Sequence, residues 1–279
     1  MPAHTVDLQG LIDLHLHTAP DVTPRRCSDL EAARLARDAG MRALLIKSHD
    51  APTAARAALA EEAVGGIRVF GGLALNAATG GLNPAAVEAA LRMGAVEIWM
   101  PTRSAAHVLP QGGRPAGLSP FDRRGRPRPG VREILALIRE ADAILGTGHL
   151  SPAETVRLVR LARRLGVHKV LVTHPEAPFI AMDVATQRAL AAEGACFERC
   201  ALFATPPGAP GASVARIAAE IRAVGVASTV LATDLGQPQG ALPVDGLRAF
   251  LAGLLGEGFS PDEVRRMAGQ HPARLLGLE

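Results

Sequence analysis

Alternating apolar and polar side chains first appear in the stretch Leu11-Ile12-Asp13-Leu14-His15-Leu16-His17. As a β-strand, this stretch places Asp13, His15 and His17 on one face and the intervening leucines on the other, where helices would cover them. Two imidazoles two residues apart at the end of such a strand point toward one place, which favours a bound divalent cation. The alternative is that both histidines are buried and hydrogen-bonded to backbone. A single His-x-His does not decide between these interpretations.

The rest of the chain repeats segments of β-type and helical pattern. Capping boxes at Ser28, Ser151 and Ser260 predict three of the helix starts. Seven further strands are predicted, over Ala43–His49, Arg68–Asn76, Ala95–Met100, Ala143–His149, Lys169–His174, Ala195–Ala201 and Ser228–Asp234.

Eight strands alternating with eight helices in 279 residues predict an α/β fold with one domain over residues 1–279. We expect a single (β/α)8 TIM-type barrel with an extra C-terminal helix. A doubly wound open sheet usually carries a glycine-rich phosphate loop after its first strand, whereas this strand ends in His-x-His.

A long irregular segment, residues 101–130, follows the fourth predicted strand and is dense in proline, glycine and arginine. Loops of this length inside a domain are typically functional, so we predict a lid-like loop here. Within it, Phe121–Arg126 has the pattern of a small hairpin.

Composition limits the function classes. The hydrophobic fraction of 48% provides ample core material, but no apolar run reaches the roughly 20 residues that span a bilayer. The net charge of +3 is modest and aromatic residues are few, so nucleic acid is not an expected partner. Three cysteines cannot all pair within the chain, and the amino terminus has no secretion-signal pattern, which together predict a cytoplasmic protein. The sequence leaves the oligomeric state open, with a homodimer as one alternative.

Polar residues collect where the predicted strands end, and this edge of a barrel carries the active site. Five of the nine histidines fall on four strand ends, which favours a shared metal site over buried structural histidines. The polar residues at the strand ends are His15, His17, Lys47, His49, His149, His174 and Asp234.

These residues also carry a family resemblance. The segments Asp-Leu-His-Leu-His (13–17), Thr-Gly-His (147–149), Val-Thr-His (172–174) and Ala-Thr-Asp (232–234) resemble the amidohydrolase superfamily, as does the closing segment His271–Leu278. The resemblance spans essentially the whole chain and implies a hydrolase that holds one or two divalent ions in a distorted barrel. It implies that His15, His17 and Asp234 bind the first metal. His149 and His174 then bind a second metal or assist the substrate.

One departure from the superfamily leaves the number of metals open. Members with two metals commonly place a carboxylated lysine or a glutamate at the end of the fourth strand. This chain has no lysine there, and Glu97 lies short of the rim, where a packing or buried-pair role is expected. Lys47 could be carboxylated and bridge two metals, orient the substrate as a cation, or pair with a carboxylate such as Asp13. A site with one metal is as well supported as a site with two.

The remaining candidates have alternatives too. His49 could be a ligand, donate to the substrate, or support another ligand. Arg103 could bind a substrate carboxylate or phosphate, or be a solvated loop residue. Surface roles are expected for Arg25 and its neighbour, and the seventh strand, with Glu198, seldom supplies ligands in the superfamily.

A bound divalent ion lowers the pKa of its water to about 7, which supplies hydroxide at neutral pH. We expect zinc, with manganese, iron or nickel as alternatives. Asp234 is expected to accept the proton, His174 or His149 to polarise the electrophile, and Lys47 to stabilise negative charge.

The predicted activity is hydrolysis of an amide, cyclic amide or lactone bond in a small, anionic substrate, for which His49, Lys47 and Arg103 are the candidate binding residues. A phosphoesterase or a metal-dependent decarboxylase on the same barrel is the alternative, and a non-catalytic barrel that binds a metal or small molecule is a third.

Overall fold

Eight parallel strands form one sheet in a computed structural model that describes residues 6–109, 117–204 and 213–279. They pair in sequence order, and Leu16 at the end of the first strand bridges Leu235 after the last, which closes the barrel. The predicted (β/α)8 barrel is therefore confirmed. The strands are β1 (Ile12–Leu16), β2 (Ala43–Ile46), β3 (Arg68–Ala74), β4 (Ala95–Trp99), β5 (Ile144–Gly146), β6 (Val170–Thr173), β7 (Cys196–Cys200) and β8 (Thr229–Ala232).

Helices connect the strands and cover the outside of the barrel. The three predicted capping boxes, at Ser28, Ser151 and Ser260, are all formed. In the described residues the α-helices are α1 (Asp29–Asp38), α2 (Ala54–Val64), α3 (Pro84–Arg92), α4 (Val131–Glu140), α5 (Pro152–Arg164), α6 (Val184–Ala192), α7 (Val214–Val224), α8 (Pro243–Gly256), α9 (Pro261–Arg265) and α10 (His271–Leu276).

The predicted extra C-terminal helix after Ser260 comprises α9, a π-helical turn (Arg266–Gln270) and α10, and α10 lies against the amino-terminal end of the barrel. Its His271 Nδ1 lies 2.7 Å from the carbonyl oxygen of Thr229, the first residue of β8. Ala273 and Leu275 pack in the same apolar cluster as Ile12 and Trp99. Because apolar side chains fill this lower part of the interior, polar groups in the barrel are concentrated near the opposite, carboxyl-terminal rim.

A β-bulge interrupts β1. Asp13 pairs with Leu44 and Leu16 pairs with Ile46, so β1 has two residues between these pairs where β2 has one. An extra residue in one strand changes which face the following side chains occupy.

The predicted alternation of β1 is therefore wrong in part. Leu14 packs inside the barrel, whereas Leu16 packs in the outer core beneath the helices. Asp13 pairs with Leu44, which packs in that outer core, so Asp13 does not share the face of His15. The bulge lets β1 place an apolar side chain and then two imidazoles in the interior.

The predicted long loop after β4 has no α-helix or β-strand in its described parts, residues 101–109 and 117–130. Residues 110–116 of the predicted lid lie outside the described residues. The small hairpin is confirmed, because Phe121 and Pro127 form an antiparallel bridge. Of the helices in the described part of the chain, none has the length and apolar character needed to cross a membrane.

Candidate metal centre

His15, His17 and Asp234 converge at the carboxyl-terminal rim of the barrel. Nε2 of His15 and Nε2 of His17 each lie 3.1 Å from Oδ1 of Asp234. All three side chains are buried. They meet because barrel closure places the end of β1 beside the residues that follow β8.

The backbone around these residues is held in unfavourable conformations. Asp234 has φ 52° and His174 has φ 27°, and residues other than glycine rarely adopt a positive φ. Position 236 must be glycine, because a Cβ atom there would overlap the carbonyl oxygen of His17. Strain of this kind collects at functional sites, where it aims side chains that regular strands would turn elsewhere.

His149 and His174 extend the same cluster. Nε2 of His174 lies 3.9 Å from Oδ2 of Asp234, and its ring centroid lies 5.0 Å from that of His149. Nδ1 of His174 has no hydrogen-bond partner among the described residues. The structure thus brings together all five residues that the sequence analysis named as candidate metal ligands.

Lys47 is buried on the inner side of this cluster. Its Nζ lies 3.1 Å from Nε2 of His15 and 4.9 Å from the ring centroid of Trp99. Asp13 instead accepts hydrogen bonds from the hydroxyl and backbone N–H of Thr233. The suggested pairing of Lys47 with Asp13 is therefore wrong, because the bulge turns Asp13 away.

Of the two other candidate substrate-binding residues, one borders the centre and one lies outside it. The His49 ring stacks on the His17 ring with centroids 4.8 Å apart, and its Nδ1 lies 2.8 Å from Oγ1 of Thr102. The Arg103 side chain is 46% exposed and donates to Thr23. It also lies 3.7 Å from a carboxylate oxygen of Asp50, so it belongs to the surface around the rim.

Glu198 contacts His15 and Arg25 contacts His17, so the surface role expected for Arg25 is wrong, and the site contact of Glu198 was not predicted. Oε2 of Glu198 lies 3.0 Å from Nδ1 of His15. The Arg25 side chain is only 2% exposed and its Nη2 lies 3.3 Å from Nδ1 of His17. Alternation of faces along β7 could have predicted that Glu198 points into the barrel. The burial of Arg25 depends on its ion pair with Asp21, which no local pattern predicts.

Glu97 lies below the rim, as expected, and of the two roles predicted there, packing and a buried pair, the buried pair is not formed among the described residues. It is fully buried, and neither carboxylate oxygen has a hydrogen-bond partner in the described chain. Burial, and then the neighbouring charge of Glu198, raises the pKa of Glu97 well above its ordinary value. Burial therefore favours the protonated form of Glu97.

When no metal is bound, burial and neighbouring charges shift the pKa values of His15 and Asp234 in opposite directions. Burial lowers the pKa of His17 and of His174 to about 4. Burial would also lower the pKa of His15, but Asp234 and Glu198 outweigh it and raise that pKa to about 9. Burial would raise the pKa of Asp234, yet His15 and His17 hold it well below its ordinary value. Without a metal, the centre therefore presents an ionised Asp234 beside a protonated His15 and neutral His17 and His174.

Comparison with known proteins places the chain in a family. The model of DUF6282, a family of unknown function, matches residues 10–198. The search of curated proteins found no match.

Solved structures share the fold across nearly the whole chain. The organophosphorus hydrolase from Deinococcus radiodurans is 17% identical, with a TM-score of 0.61 over 96% of this chain and 93% of that one. An amidohydrolase from Pseudomonas aeruginosa is 14% identical, with a TM-score of 0.63 over 96% and 95%. The dihydropyrimidinase from Brevibacillus agri NCHU1002 is 13% identical, with a TM-score of 0.60 over 97% and 71%.

Identities this low show a common fold, and on that level the resemblance to amidohydrolases is confirmed. The chain belongs to the family DUF6282, and its fold is the barrel of amidohydrolase-type enzymes.

Proposed function

We propose that this protein is a metal-dependent hydrolase that cleaves an amide, cyclic amide or lactone bond in a small, anionic substrate. The observation that carries the proposal is the convergence of two imidazole nitrogens on one carboxylate oxygen of Asp234, each at 3.1 Å. The fold supports it, because solved proteins with this barrel include hydrolases.

The residues at the rim fit a divalent cation. One donor atom from each of His15, His17 and Asp234 lies within 4.8 Å of the others, and all three side chains are buried. Two imidazoles and a carboxylate are donors that zinc accepts, and they leave positions for water and substrate. His15, His17 and Asp234 would hold this ion, with His149 and His174 available for a second ion or for the substrate.

When bound, a divalent cation lowers the pKa of its water to about 7 and so supplies a nucleophile at neutral pH. Asp234 accepts the proton that the attacking water releases and passes it to the leaving group. Its Oδ2 faces His174, which holds the carbonyl oxygen of the substrate. Lys47 adds a buried positive charge beside His15, where it stabilises negative charge that develops on the substrate.

The mouth of the barrel offers both polar and apolar surface to a substrate. His49 borders the centre, and Arg103 adds a positive charge at the rim. Phe179 is 41% exposed, and its ring lies 4.9 Å from that of His149 and 5.4 Å from that of His174. A substrate that combines a carboxylate with a short apolar group fits this surface.

Metal analysis and a substrate panel test the proposal. The purified protein, loaded with zinc, is assayed on lactones, cyclic amides and phosphate esters, with and without chelator. We expect turnover of a lactone or cyclic amide that the chelator abolishes. Turnover of phosphate esters alone would select the phosphoesterase instead. Bound zinc without any turnover would support the non-catalytic barrel.

Asp234→Asn is expected to lower kcat by about 1000-fold, because the proton acceptor is lost. Asp245→Asn, which changes a carboxylate on the exposed face of α8, is the matched control and retains activity. Unchanged metal content and activity in both Asp234→Asn and His15→Ala would refute the proposal.

A further inference from the structure

Glu198 lies beneath the candidate metal centre, on the inner face of β7. It is fully buried, and its Oε2 lies 3.0 Å from Nδ1 of His15. Nε2 of the same imidazole lies 3.1 Å from Asp234. The His15 ring therefore has one nitrogen toward a carboxylate of β7 and the other toward the rim.

We propose that Glu198 is the positioning residue of this centre: it accepts the Nδ1–H of His15 and thereby aims Nε2 at the cation. This inference rests on the proposed metal-dependent function. An imidazole that donates one N–H to a carboxylate keeps its tautomer and orientation, and its other nitrogen becomes a stronger ligand. Loss of such a partner typically costs 10- to 100-fold in metal affinity or activity.

The neighbouring acid, Glu97, does not compete for this role. It is equally buried, but its oxygens have no hydrogen-bond partner in the described residues, and it contacts neither nitrogen of His15. Burial also raises its pKa well above the ordinary value, which favours the protonated form. Of these two acids, Glu198 is the one that combines a short contact to Nδ1 with a position opposite the rim. Glu97 consequently provides a matched control in the same part of the barrel.

A different role for the same residues would be a second cation site, formed by His15, Glu198 and Cys200, whose donor atoms lie within 4.8 Å of one another. The thiol of Cys200 opposes that role, because burial raises its pKa well above the ordinary value and so disfavours the thiolate that binds metal.

The experiment compares zinc binding by wild type, Glu198→Gln and Glu97→Gln, with competition against a chromophoric chelator as the measurement. Glu198→Gln keeps the shape and an acceptor oxygen but removes the charge, so we expect zinc to bind about 10-fold more weakly. Glu97→Gln is expected to bind zinc as wild type does. Thermal unfolding of the metal-free proteins shows whether each variant is folded.

A spectroscopic signature separates positioning from general stability. In zinc-loaded protein labelled with ¹⁵N-histidine, the Nδ1–H proton of His15 is expected far downfield because it donates to a carboxylate. It should move upfield in Glu198→Gln and remain in place in Glu97→Gln.

Three results would overturn the inference. Equal zinc affinity in Glu198→Gln and wild type would overturn it and leave the proposed function intact. Loss of one of two bound zinc ions in Cys200→Ala would assign Glu198 to a second metal site. Absence of zinc binding by the wild-type protein would overturn both proposals together.

Discussion

Glu198 and Arg199 are neighbours on β7, yet they enter two buried polar clusters of opposite character. Glu198 points into the barrel and joins the interior cluster, which we define as His15, His17, Lys47, His149, His174, Glu198 and Asp234. Arg199 points outward and joins the shell cluster, which we define as Glu176, Gln187, Arg199 and Glu220, between the strands and the helices.

The shell cluster is almost completely paired. Arg199 lies 3.2 Å from Glu176 and 3.0 Å from Glu220, and it donates to Gln187 at 2.7 Å. Gln187 in turn donates to Glu220. Buried charges with this many partners have the character of a structural network, which ties β7 to α6, α7 and the loop after β6.

The interior cluster is not paired in this way. Oε1 of Glu198 and Nδ1 of His174 have no hydrogen-bond partner among the residues described. Two of its backbone positions are strained. Unsatisfied buried donors and acceptors cost free energy unless a ligand uses them. The contrast teaches that pairing, rather than burial, distinguishes the structural cluster from the candidate functional one.

The largest expected effect on stability lies in the shell cluster. Arg199→Met leaves the Glu176 and Glu220 carboxylates buried without their cation, so the free energy of unfolding should fall by about 3–5 kcal/mol. Urea unfolding measures this change, and zinc affinity per folded molecule should be unaffected. Arg160→Met breaks an exposed ion pair with Glu193 and should cost less than about 1 kcal/mol. Zinc affinity that falls in Arg199→Met would erase the distinction between the clusters.

The titratable groups of the interior cluster should make the free energy of unfolding of the metal-free protein depend on pH. His15 has a pKa of about 9 when folded against 6.5 when unfolded, so its contribution is complete below pH 6.5 and is lost as the pH rises through 9. That loss is about 3 kcal/mol. His17 and His174 have folded pKa values of about 4, so their contribution is lost as the pH falls from 6.5 to 4.

The free energy of unfolding of the metal-free protein should therefore be greatest near pH 6.5, as measured by urea unfolding across the pH range. His15→Gln removes the alkaline loss and is the control. A profile that is flat between pH 6.5 and 9 in wild type would contradict the charge arrangement assigned to the interior cluster.

The smallest expected effect concerns the rim beyond both clusters. Phe179→Ala removes apolar surface next to His149 and His174, so KM for a lactone with an alkyl tail should rise about fivefold, with little change for an unsubstituted lactone. Because this side chain is 41% exposed, the free energy of unfolding should change by less than about 1 kcal/mol. Leu59→Ala, on the outer surface of α2, is the control and should leave KM for both lactones unchanged. Equal KM increases for both lactones would argue against an apolar subsite.

Local patterns in the sequence were sufficient for the barrel and for the main members of the candidate site. Strand and helix periodicity, with three capping boxes, predicted eight βα units, because burial in a two-layer fold imposes those periods on the chain. The placement of His15, His17, His149, His174 and Asp234 at strand ends followed from the same periodicity. Parallel strands in a barrel bring such ends to one rim.

Only the tertiary structure decided which way particular side chains point. The β1 bulge separates Asp13 from His15, and it depends on pairing with β2, which no local pattern records. The contact between Glu198 and His15 joins residues 183 positions apart, and the burial of Arg25 depends on a loop conformation. Periodicity determined which residues reach the rim, whereas register and loop packing decided which of them contact one another, since contacts form between distant parts of the chain only after it has closed.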